Sequence, residues 1–327
     1  MRKNLSVVGR LTIYMGILVI FILSVMSVFN YIDSKISARN FLKDVQKSTL
    51  NSTSMAYETY KKIKKASMES IAIELATKLE REEDIYDLLS FAREVLQFDS
   101  VFFGYDKTGK IYLSNGDYLD LSKNYDVTTR FWYKEAKATG HIVVTKPYIS
   151  QSTGNAAIGY GVPVVKDGKV VGVVGGEYNL ARYSKDILSV ANLNDAYAAI
   201  YDKEGNIIFH EDAQQLLKQN ALSTSINGIL KANPSFLSEK TLFSVTNSKG
   251  VDHDAVCIET DEKDYVICTL TQSEIYLNNL REIVLKQVLI GTIAIVIALI
   301  FVRISIKKTL SPLSLILSGL NSFFDFL

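Results

Sequence analysis

An excess of positive charge is missing from this chain: 36 lysines and arginines face 35 aspartates and glutamates over 327 residues. Without a basic face, nucleic acid is not an expected partner. Cysteine and histidine are also scarce, with 2 and 3 copies. His210-Glu211-Asp212 and Asp252-His253-Asp254 lack the helix-face or Cys/His spacing of a metal site and read as solvated loops. Gly172, Gly175 and Gly176 fall inside a strand signal, not between a strand and a helix, which argues against a phosphate loop. No nucleophile, base and orienting acid converge, so neither an enzyme nor a cofactor or metal site is expected.

Charge is absent altogether from Leu11 to Phe29, nineteen residues long. At about 1.5 Å per residue, such a helix nearly crosses the hydrocarbon core of a bilayer. Gln287 to Ile306 forms a second apolar run, with Arg303 near its end where a long side chain can snorkel. Arg2, Lys3 and Arg10 precede the first run, and Arg303, Lys307 and Lys308 close the second. The positive-inside rule then puts both termini in the cytoplasm and the segment from Asn30 to Lys286 outside it. A cleaved signal peptide is the competing reading of the first run, but no small-x-small site follows it closely.

Glycine and proline are absent from Tyr31 to Arg81, where apolar residues recur at helical intervals. One long helix is expected there, its polar middle lying along other helices, with a second from Asp84 to Phe98. Strand signals follow around the turns Asp106–Gly109 and Asp167-Gly168, then a short helix at Tyr183–Asn192. The pattern Tyr-Asp-Lys-x-Gly-x-Ile starts at Tyr105 and again at Tyr201, which suggests two copies of one module. Cys257 and Cys268 flank a polar turn centred between Glu262 and Lys263. A hairpin with that centre faces them for a disulfide, the alternative being two buried thiols.

The only tryptophan, Trp132, stands in Arg130-Phe131-Trp132-Tyr133; Tyr148 follows Tyr133 by fifteen residues, and Glu177 lies twenty-nine further on. Alone, such aromatic residues read as core anchors, and Arg130 as the partner of a surface acid. Their spacing, with Tyr125 ahead, resembles the ligand motif of the double Cache sensor domains of bacterial methyl-accepting chemotaxis proteins. The resemblance extends to the whole layout of two spans, a long helix and two repeats. It implies an α+β fold in which the long N-terminal helix carries two stacked, PAS-like modules between two transmembrane helices. It also implies a pocket in the first module that holds a small carboxylate ligand. The ligand carboxylate would meet Arg130 and Trp132, with Tyr125, Tyr133 and Tyr148 around it. Two aspartates hold the ammonium group of an amino acid in the family. Here Ser150 and Glu177 stand at those positions, which keeps open a short organic acid as well as an amino acid.

The expected layout is a cytoplasmic N-terminus (1–10), a first span (11–30), the helices of the sensor (31–98), a distal module (99–192), a proximal module (193–282), a second span (283–306) and the start of a HAMP-like linker (307–327). Leu313, Ile316, Leu320, Phe323 or Phe324, and Leu327 recur at three- and four-residue steps, as an amphipathic helix requires; an interfacial helix on the inner leaflet is the alternative. The expected setting is a bacterial inner membrane with the sensor in the periplasm. The expected assembly is a homodimer working with a separate cytoplasmic signalling chain or other chemoreceptors, since no output domain follows Leu327. A sensor attached to a kinase or cyclase, or a binding module without signalling, are the other expectations.

Overall fold

The structure is a computed structural model that describes residues 7–150, 153–189 and 196–324. The expected boundary between the modules, at 192/193, lies outside the described residues.

The first apolar run and the segment without glycine or proline form a single helix, α1 (Val7–Thr77). Helix α2 (Glu82–Val95) follows, with Glu82, Glu83 and Asp84 in its first turn, where they complement the helix dipole. Next come β1 (Ser100–Tyr105), β2 (Lys110–Leu113), β3 (Tyr118–Leu119), α3 (Phe131–Thr139), β4 (Val143–Val144), β5 (Tyr148–Ile149), β6 (Ala156–Lys166), β7 (Lys169–Asn179) and α4 (Leu180–Leu188). The second half holds β8 (Ala196–Asp202), β9 (Ile207–Phe209), α5 (Ala221–Ala232), α6 (Ser235–Glu239), β10 (Phe243–Thr246), β11 (Asp252–Glu259), β12 (Tyr265–Gln272) and α7 (Ser273–Phe324). Helix α7 runs on through Pro312.

Two antiparallel sheets result. The first has the order β3-β2-β1-β7-β6-β4, with β5 also paired to β6, and the second β10-β11-β12-β8-β9. The repeated heptapeptide explains their likeness. Tyr105–Ile111 joins β1 to β2 and Tyr201–Ile207 joins β8 to β9. In each hairpin the glycine, Gly109 or Gly205, takes the positive φ that the turn needs. The first strand of each copy then pairs with the last, β1 with β7 and β8 with β12.

The chain divides into two units, Lys43–Ser273 and the pair Met1–Leu42 with Glu274–Leu327. The second contains two helical stretches long and apolar enough to cross a membrane. They approach closely at Gly16, where a Cβ would lie 2.9 Å from a methyl of Leu299. Small residues allow such contact between apolar helices.

Within Lys43–Ser273, α1 lies on both sheets and not in a helical bundle. Its buried positions Leu50, Tyr57, Met68, Ile71 and Leu75 recur every three or four residues, or at multiples, and join Phe103, Tyr160, Ile200 and Ile267 in one core. The sheets meet several of its polar groups directly. Gln46 donates to the carbonyl of Asp254 at 3.0 Å and its own carbonyl accepts from Thr269. Lys61 is buried against Glu262 at 2.6 Å and Asp264 at 3.6 Å. On the other face of the first sheet, Phe102, Trp132 and Val173 belong to a separate core under α3.

Cys257 and Cys268 are paired in register on β11 and β12 and form a disulfide with a Cα separation of 4.1 Å, as the hairpin centre implied. A second expectation needs correction. Asp252-His253-Asp254 is not a loop but the start of β11, with His253 buried and its ring nitrogen 3.0 Å from the Val251 carbonyl. The β-alternation of that stretch was hidden by its charged neighbours. His210 opens a turn, where its Nδ1 accepts from the backbone of Asp212. The three glycines of β7 serve packing: a Cβ on Gly172 or Gly175 would lie 2.2 Å from β1.

Candidate functional site

A cavity of about 510 Å³ opens on the α3 side of the first sheet. Its wall begins with two short helical turns. Asp120 accepts from the backbone of Ser122 and Lys123, and Asp126 from that of Thr128. Such aspartate caps stabilise tight turns, and here they set the path that delivers Tyr125 and Arg130. Arg130 is the N-cap of α3 in extended conformation, and its guanidinium lies over the Tyr125 ring, 5.7 Å from the centroid. Trp132 follows in the first turn, against Phe102 at 4.9 Å. Tyr125, Arg130 and Trp132 all line the cavity.

Glu177 faces them from β7. Its carboxylate accepts a hydrogen bond from Tyr148 at 2.6 Å and another from Ser150 at 2.8 Å. Tyr148 and Glu177 stand on strands separated by β6, and Gly159 lies between them. A Cβ on Gly159 would sit 3.1 Å from the Tyr148 hydroxyl, so its absence lets the phenol pass across the strand. Burial, then the charge of Glu177, pushes the Tyr148 phenol far above its ordinary range, so it stays a donor. Burial likewise raises Tyr125, against the opposing pull of Arg130.

Six of the seven expected residues therefore belong to one constellation. Tyr125, Arg130, Trp132 and Glu177 form the cavity wall, while Tyr148 and Ser150 hold Glu177. Tyr133 does not join them. Its hydroxyl donates to Asp106, whose other oxygen meets Lys137 at 2.7 Å. Successive helical residues point about 100° apart; with Trp132 on the cavity side, Tyr133 turns to the β1–β2 hairpin. Several lining residues carry no sequence signal: Arg93 on α2, Asp99 ahead of β1, and Ser114 and Asn115 after β2. Only the fold brings them here. Gly159 could have been suspected as a glycine inside a strand run, which often marks close approach.

The pattern of the Cache domain family matches residues 34–277. The chain belongs to the Cache domain family. Among solved structures, this Cache domain is similar to the sensory domain of the Campylobacter jejuni chemoreceptor Tlp3 with isoleucine bound. The TM-score is 0.58 at 21% identity, covering 74% of this chain and 97% of that one. It is also similar to the ligand-binding domain of the Pseudomonas fluorescens chemoreceptor CtaA in complex with L-serine. There the TM-score is 0.54 at 21% identity, covering 73% of this chain and 99% of that one. Among curated proteins, the methyl-accepting chemotaxis protein PscA of Pseudomonas syringae pv. tomato is 35% identical over 95 residues, 29% of this chain. PctB of Pseudomonas aeruginosa is 31% identical over 99 residues, 30% of this chain. The matches span 15% and 16% of those two relatives' own lengths. All four are chemoreceptors or methyl-accepting chemotaxis proteins by name.

Proposed function

We propose that this chain is the sensor part of a transmembrane chemoreceptor and that an α-amino acid binds between Arg130 and Glu177. The observation that carries this reading is the opposition of charges across one cavity, with an arginine on one wall and a hydroxyl-supported carboxylate on the other. A guanidinium pairs with a carboxylate through two parallel bonds. A carboxylate receives an ammonium group. A ligand carrying both at its α-carbon satisfies both walls, and the indole of Trp132 shields the pair from water. The relatives solved with isoleucine and serine support the same ligand class.

In this reading the two apolar stretches cross a bacterial inner membrane and the sheets lie in the periplasm. A distal module spans 99–192 and a proximal one 193–282, and two copies of the chain pair as a dimer. Ligand binding favours one arrangement of the first module and shifts α1, which carries the change to the membrane. A cytoplasmic signalling partner receives it.

Calorimetry on the full chain in nanodiscs tests the ligand class. L-isoleucine or L-serine should bind, and their deaminated analogues should bind at least tenfold more weakly. Arg130→Ala should abolish binding, since two charge-assisted bonds of about 1.5–3 kcal/mol each are lost. Equal affinity of an amino acid and its deaminated analogue would remove Glu177 from the proposal; unchanged affinity in Arg130→Ala would remove the site.

A further inference from the structure

A second cavity, of about 610 Å³, lies between the two sheets, lined by α1, β6, α4, the β8–β9 turn and the β11–β12 turn. Its volume falls in the range of small-molecule sites, about 300–1,000 Å³. Four phenols face it: Tyr57, Tyr160, Tyr183 and Tyr265. The Tyr183 hydroxyl is buried beside that of Tyr160 and makes no well-formed hydrogen bond among the described residues. A buried hydroxyl without a well-formed bond forgoes up to about 1–3 kcal/mol, and an occupant of the cavity can supply a better partner than Tyr160. Burial holds this phenol far above its ordinary range, so it remains protonated.

The charges decide what kind of occupant fits. Buried Lys61 is paired with Glu262 and Asp264, and Lys65 adds a second bond to Glu262 at 3.0 Å. Asp202 accepts from the backbone of Glu204 and Asn206 and from the Asn206 amide. A cation that drew Glu262 or Asp264 away from Lys61 would leave a buried ammonium uncompensated, which is strongly unfavourable; Asp202, already held by its backbone donors, and exposed Glu204 are the other acids of the lining. An incoming anion disturbs none of these pairs. At the exposed mouth it meets Lys146 and Lys203, neither of which belongs to an ion pair among the described residues.

We propose that this cavity is a second ligand site, for a small aromatic acid bearing a hydroxyl opposite its carboxylate. The ring packs edge-to-face among the phenols, as Tyr57 and Tyr265 already pack at 6.2 Å. The carboxylate stays at the mouth with Lys146 and Lys203. The hydroxyl reaches Tyr183.

The test is calorimetry of the full chain in nanodiscs with 4-hydroxybenzoate, benzoate and benzylamine. Saturable binding of 4-hydroxybenzoate is expected, about tenfold tighter than benzoate. Tyr183→Phe, which keeps the ring, should erase that tenfold difference. Lys146→Ala with Lys203→Ala, both at exposed positions, should weaken both acids about tenfold or more. Arg130→Ala should leave them unchanged. The proposal is overturned if 4-hydroxybenzoate fails to bind, if benzylamine binds instead, if Tyr183→Phe preserves the difference, or if Arg130→Ala abolishes the binding and so assigns it to the first site.

Discussion

Alanine at Gly159 should damage the proposed amino-acid site without touching a ligand. The Gly159 backbone is not in the left-handed region, so the substitution is tolerated conformationally. By itself it should add about 0.4–1 kcal/mol of stability by narrowing the unfolded ensemble. The new Cβ, however, would stand 3.1 Å from the Tyr148 hydroxyl and 3.2 Å from the Thr145 methyl. Thr145 is fixed, because it is buried and accepts from the Gly159 amide at 2.9 Å. The phenol is the side that gives way, and a shift of a few tenths of an ångström lengthens its 2.6 Å bond to Glu177. A hydrogen bond to a charged group is worth about 1.5–3 kcal/mol. Partial loss should weaken amino-acid binding by about tenfold and complete loss by up to about a hundredfold. Calorimetry on Gly159→Ala, Tyr148→Phe and the double variant checks the mechanism. The two losses should be non-additive, because both act on one bond. Unaltered affinity in Gly159→Ala, or full additivity, would refute it.

Lys64 and the disulfide give two stability predictions. Burial lowers the Lys64 ammonium from 10.5 to about 8, although it lies over Tyr178 at 4.1 Å and donates to the Leu96 carbonyl. The unfolded chain binds the proton more tightly, so the penalty, up to about 3 kcal/mol, is fully present below about pH 8 and fades as pH rises through 10.5. Lys64→Met should therefore raise the melting temperature at pH 7, with a gain that shrinks in thermal scans towards pH 10; a constant gain would remove ionisation as its cause. Reduction of Cys257–Cys268, which closes a loop of sequence separation 11, should cost about 3 kcal/mol in denaturant titrations. No change with reductant would mean that the unfolded chain is not restrained by the bond.

What could be read in the sequence was whatever depends on local order. The repeat at Tyr105 and Tyr201, the hairpin facing Cys257 with Cys268, and the helix without glycine or proline are all short-range patterns. Each appears in the structure as an element or a paired strand. The gathering of Arg130, Tyr148 and Glu177 around one cavity was legible through spacing, although they stand on three separate elements. Tyr133 was misplaced because sequence adjacency to Trp132 hides the 100° turn between them. Arg93, Asp99 and Asn115 went unseen because only the pairing of β1 with β2 and β7 gathers them. The sheet contacts of α1 were hidden too: a polar helix face matches a helical bundle as well as it matches the acids of a distant turn.

Those contacts carry a last prediction. Two successive turns of α1 touch elements of both sheets. Lys61 and Lys65 reach Glu262 in the β11–β12 turn, while Lys64 grips the Leu96 carbonyl. Leu96 lies three residues before Asp99, which lines the cavity beside α3, and Lys61 lines the cavity between the sheets. Each site therefore borders a contact of the same two turns. A ligand that shifts the β1 end of the first site must move Lys64 or break its bond, and a shift of α1 there changes the second cavity. Linkage then requires reciprocity: saturating 4-hydroxybenzoate should change amino-acid affinity, and a saturating amino acid should change 4-hydroxybenzoate affinity by the same factor. Coupling of about 1 kcal/mol or more, some fivefold, is the usual scale. Lys64→Met should diminish it, because the grip on Leu96 is gone. Identical affinities with and without the other ligand would show that α1 is a rigid support and not the shared element.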